Sequence, residues 1–102
     1  IDTEPPAAPT GLMATVVEGG IELRWEPNGE EDLLGYVVLR RTAGNDTLQL
    51  LTKEKPTSAT RFTDPEVLAG QMYTYVVQAV DNRIPLPNVS DNSTEVTVTA
   101  AR

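Results

Sequence analysis

Seven short runs in this chain alternate apolar and polar residues, and each run stops at a turn signal. Period-two alternation puts successive side chains on opposite faces of a strand, so such a run buries one face and wets the other. "IELRWE" is the cleanest case. Ile21, Leu23 and Trp25 share one face, Glu22, Arg24 and Glu26 the other, and Pro27-Asn28-Gly29 closes the run. The remaining runs begin at Leu12, Gly35 ("GYVVLRR"), Thr47 ("TLQLLT"), Ala59 ("ATRFTD"), Tyr73 ("YTYVVQAV") and Thr94 ("TEVTVTA"). No segment sustains a helical period, and "PEVLAG" has room for a single turn. Seven short strands in 102 residues predict an all-β fold, a seven-stranded antiparallel two-sheet sandwich in one domain.

Composition narrows the chemistry. Eight basic against 15 acidic residues give a net charge of −7, which argues against nucleic acid and anionic membrane surfaces. There is no cysteine, hence no disulfide or thiolate chemistry, and no histidine, the commonest metal ligand and general base. No apolar run reaches the roughly 20 residues of a membrane span. "EPPAAP" reads as a semi-rigid lead-in, so residues 1–8 are taken as a proline-rich linker and 9–102 as the folded domain. No signal peptide is visible, and the abrupt start at Ile1 suggests a module cut from a longer protein.

Alternation also sorts "YTYVVQAV". Tyr73, Tyr75, Val77 and Ala79 share a face, opposite Thr74, Val76, Gln78 and Val80. The first set carries no polar residue between its members, so it is the buried one. The predicted core is then Leu12, Ile21, Leu23, Trp25, Tyr36, Val38, Phe62, Tyr73, Tyr75, Val77, Val96 and Val98.

Several segments, in order, resemble a fibronectin type III domain from about Pro9 to Thr99, in a style closest to bacterial members. They are Pro9-Thr10-Gly11-Leu12, Trp25 in "IELRWEPN", "EDLLGYVVLR", "FTD", "GQMYTYVVQAVD", and Ser90 with "TEVTVT". The resemblance departs at Leu39, where a tyrosine is common. It implies strands A, B and E on one sheet and C, C′, F and G on the other, with no catalysis and no cofactor. It also implies that Tyr73 is a corner tyrosine whose hydroxyl reaches a backbone group a few residues upstream.

Candidate contacts lie elsewhere. With Tyr36 and Val38 inward, Val37, Leu39, Val76 and Val80 point outward and predict an apolar stripe for a protein partner. The loop "DNRIPLPNVSDN" offers Arg83, Ile84 and Leu86, either as a binding tip or as a junction with a preceding domain. Glu30, Glu31, Asp32, Asp64, Asp81 and Asp91 form no calcium-loop spacing and read as solvated acids, not as metal ligands or a catalytic pair. Three Asn-x-Ser/Thr triplets, at Asn45, Asn88 and Asn92, fall in turn-rich segments where these residues are common.

The function expected is that of a non-catalytic spacer or protein-interaction module of a larger secreted or cell-envelope protein. Its partners would be neighbouring domains of the same chain and a protein ligand. The isolated domain is expected to be monomeric, outside membranes and free of nucleic acid. Two alternatives are an adhesion or ligand-recognition domain and an accessory domain beside an extracellular carbohydrate-active enzyme.

Overall fold

The structure, a computed structural model, describes residues 6–29, 33–52, 57–81 and 89–100. It holds seven strands: β1 (Met13–Val17), β2 (Gly20–Arg24), β3 (Leu33–Thr42), β4 (Gln49–Leu50), β5 (Arg61–Asp64), β6 (Met72–Asp81) and β7 (Val96–Thr99). One sheet runs β1-β2-β5 and the other β4-β3-β6-β7, with all pairings antiparallel. This is the two-sheet sandwich that the alternation predicts, with no helix among the described residues.

The core sits where the inward faces meet. Ile21, Leu23, Trp25, Tyr36, Val38, Tyr73, Tyr75, Val77 and Ala79 are buried there with Leu12 and Ala100. Phe62, Val96 and Val98 pack against this cluster while keeping part of their surface. Trp25 meets Tyr36 edge-on, with ring centroids 5.4 Å apart. Such a tilted pair sets a positive ring edge against a negative ring face.

Tyr73 makes the corner. Its ring is buried and its hydroxyl accepts the Leu68 N–H at 2.8 Å. The Leu68–Gln71 turn beneath it is closed by a 3.0 Å backbone bond and uses Gly70 at a φ of 81°, which glycine adopts without steric cost. Tyr73→Phe leaves that N–H without its partner and should cost about 1–3 kcal/mol. Urea denaturation checks this; an unchanged midpoint at unchanged slope would refute the corner role.

β4 and β7 are much shorter than their sequence runs, and side chains explain both. Along β4, only Gln49 and Leu50 pair with β3, at Arg40 and Leu39. The Leu51 N–H still donates to the Val38 carbonyl at 2.8 Å, but the Val38 N–H turns to the Thr52 hydroxyl at 3.3 Å. A side chain thus replaces the next rung. β7 starts at Val96 rather than near Thr94 for a similar reason. Ser93 donates its N–H to the Val77 carbonyl at 2.9 Å and accepts the Val77 N–H on Oγ, also at 2.9 Å. Ser90 does the same with Ala79, at 2.8 Å for both bonds. Two buried serines therefore imitate a strand edge and keep the β6 backbone satisfied.

Candidate interaction surfaces

The outer face of the four-stranded sheet carries the predicted stripe, and the register shows what becomes of it. Val37 lies opposite Gln78, Leu39 opposite Val76, and Arg41 opposite Thr74. Val37 and Leu39 are half-buried. Val76 and Val80 are 0% and 6% exposed, so neither can serve as a partner contact, and the stripe is corrected there. The direction in which they point is as expected, since both stand apart from the inner cluster. Polar side-chain pairs and a backbone bridge span this face.

Arg41 on β3 and Glu95, just before β7, bond at 2.7 Å. They stand on either side of β6, so the bridge crosses it between Thr74 and Val76. Thr74 and Thr97 share a hydroxyl bond of 3.0 Å, and Gln78 donates to Asn92 at 2.6 Å. Val80 is bridged by the backbone of Val89. Apolar surface remains at the β4 edge, where Leu50 is 42% exposed beside Leu39, and also at Met72 on β6 and at Val89.

The Arg41 guanidinium, through its hydrogen bond and then its charge, holds the Glu95 carboxyl below its ordinary range, and Glu95 raises Arg41 in return. A depressed carboxyl favours the fold above its unfolded pKa and loses that contribution as pH falls through the folded value. Carbon-detected NMR titration of Glu95 should give a midpoint on the acid side of an ordinary glutamate. Arg41→Met should bring it back up; an unmoved midpoint would show the bridge absent in solution.

A second polar constellation lies inside the sandwich. Asp64 is 2% exposed and faces inward from β5, opposite Ile21. Its Oδ2 accepts from Arg40 Nη1 at 2.8 Å and from the Tyr75 hydroxyl at 2.7 Å, while its Oδ1 accepts the Glu66 N–H at 3.1 Å. Arg40 comes from β3 in the other sheet. It also donates to the Glu66 carbonyl at 3.1 Å and the Gln49 side chain at 3.1 Å, and its guanidinium lies 5.1 Å from the centroid of the Tyr73 ring. Burial and the Asp64 carboxylate push the Tyr75 hydroxyl strongly upward, so it stays a phenol and a donor. One carboxylate thus joins three strands of both sheets. Nothing in this arrangement leaves a free nucleophile or base.

The sequence reading missed this cluster by counting Asp64 among solvated acids; Asp81, read the same way, is also only 2% exposed. Parity carried the signal. Phe62 and Asp64 share a face of "RFTD", and Tyr36, Val38 and Arg40 share a face of "GYVVLR". An acid and an arginine therefore both fall on faces that must be buried.

Arg83, Ile84 and Leu86 lie outside the described residues, as do Glu30, Glu31 and Asp32. Among the described residues, no three acidic side chains come together as a metal site, and no helix is long and apolar enough to cross a membrane.

A disulfide-free sandwich with this strand order, a buried tryptophan just after β2 and a corner tyrosine belongs to the immunoglobulin-like class. The comparisons take the class further, although no protein-family profile matches the chain. Across 96% of its length the chain is 34% identical to exoglucanase B of Cellulomonas fimi, and it spans 8% of that protein. It is 28% identical to the solved Fn3-like protein from Clostridium thermocellum, with a TM-score of 0.73 and 97% of each chain covered. A multi-domain segment of titin superposes with a TM-score of 0.79 at 16% identity, over 97% of this chain and 33% of that one. The chain is a fibronectin type III domain. Similar domains sit within longer multi-domain chains.

Proposed function

We propose that this domain is a non-catalytic spacer, placed in series within a larger secreted or cell-envelope protein. The observation that carries the reading is the separation of its two attachment points. Ala7 is bonded to Asn28 at one pole, beside the start of β3. Ala100 is bonded to Gly70 and Gln71 at the other, beside the end of β3 and the start of β6. Between the poles the molecule is a rod of 48 × 23 × 23 Å. A chain that enters one end and leaves the other adds a fixed length to whatever it joins.

The relative of 34% identity is named as an exoglucanase, which favours a finer reading, an accessory module beside a carbohydrate-active enzyme outside a bacterial cell. Direct sugar binding is not the role proposed for it. Of the five aromatic rings, Trp25, Tyr36, Tyr73 and Tyr75 are buried and Phe62 packs against the core, which leaves no exposed ring to stack on a sugar. We propose Val37 and Leu39, which are half-buried beside exposed Leu50, as the contact for a protein partner.

The isolated domain should pass through columns of insoluble cellulose and soluble glucan without retention. In the full-length protein, exchange for an unrelated rigid domain of equal length should preserve function. Retention on either polysaccharide, or loss of function on the exchange, would sink the spacer reading.

A further inference from the structure

The segment leading into β1 is held at successive points. Pro6 and Pro9 are buried. The Asn28 side-chain amide donates to the Ala7 carbonyl at 2.7 Å, and the Glu26 N–H donates to the Thr10 carbonyl at 2.9 Å. Asn28 is itself fixed, because its backbone N–H donates to the Tyr36 hydroxyl at 2.7 Å. Tyr36 is 1% exposed and packs edge-on against Trp25. A continuous line of contacts therefore runs from the aromatic core, through the Tyr36 hydroxyl and Asn28, to Ala7.

Asparagine is suited to this position. Its amide offers a donor that aspartate lacks. Each flanking proline fixes its own φ and so reduces the freedom of the short stretch between them.

We propose that Pro6–Pro9 is a docked strut belonging to the domain, and that Asn28 is the clamp fixing the direction in which the chain enters it. The boundary between linker and domain then moves from Pro9 to Pro6. A domain preceding this one in series inherits an orientation from Asn28 instead of pivoting at the prolines. That consequence rests on the serial-spacer reading, but the strut is a property of the isolated chain.

Backbone 15N relaxation on the 102-residue chain tests it, since Ala7 and Ala8 carry amides where the prolines do not. Their order parameters should lie near about 0.85, as in the strands, and drop below about 0.6 in both Asn28→Ala and Asn28→Asp. The strands should be unchanged in both variants. Values below about 0.6 in the unsubstituted chain would remove the strut. Values unmoved by both substitutions would remove the clamp. Either failure leaves the spacer reading intact, because a domain with a pivoting entry still adds length. A failed domain exchange would leave the strut intact.

Discussion

Asp64→Ala should destabilise the domain by about 3–5 kcal/mol, because it leaves the Arg40 guanidinium inside the sandwich without its counter-charge. Small domains are stable by only about 5–15 kcal/mol, so this one change removes a large share of the total. Asp64 is 2% exposed and the Arg40 side chain 12%, so solvent can do little to repair the loss. The Tyr75 hydroxyl and the Glu66 N–H lose their acceptor in the same step. Urea denaturation at pH 7 checks the magnitude. A loss under about 1 kcal/mol would mean that the pair is solvated like a surface bridge. Replacing the cluster together, as Asp64→Leu with Arg40→Met and Tyr75→Phe, should recover much of the loss. A buried ion pair costs so much desolvation that an apolar substitute of similar volume often does as well.

The second large effect falls on the neighbouring backbone. A Cβ at Gly20 would stand 2.1 Å from the Asp64 carbonyl oxygen and 2.9 Å from its carbon, and Gly20 has a φ of 150°. Both partners are backbone, so no side chain can swing aside. Gly20→Ala combines a strained φ with a clash between β2 and the end of β5, and should cost about 3 kcal/mol or more. Gly19 is the internal control. Its φ is 97° but nothing lies within 4 Å, so Gly19→Ala carries strain alone and should cost about 1 kcal/mol. Equal losses at the two positions would show that the close approach of Gly20 to Asp64 relaxes freely.

Both predictions converge on Asp64, a residue whose importance the sequence conceals. Read along the chain, Asp64-Pro65 looks like a strand ending in a turn, and that reading is correct as far as it goes. Its side chain nevertheless faces the core and draws Arg40 from the opposite sheet. The valines of β6 show the reverse. Val76 and Val80 occupy outward positions, as alternation requires, yet almost none of their surface meets solvent. Direction along a strand follows from parity, whereas exposure depends on which long side chains fold over the sheet.

What the sequence determined by itself follows from local rules. Period two separated inward from outward side chains and turn residues bounded the runs, while the corner role of Tyr73 was implied by the resemblance to fibronectin type III domains. Tertiary structure alone decided the contacts between residues distant along the chain. Arg40 meets Asp64 across 24 positions, Arg41 meets Glu95 across 54, and Asn28 holds Ala7 across 21. The physical reason is the same in each case. A strand's pattern fixes the side on which a residue lies, but the packing and register of the sheets fix what stands opposite it.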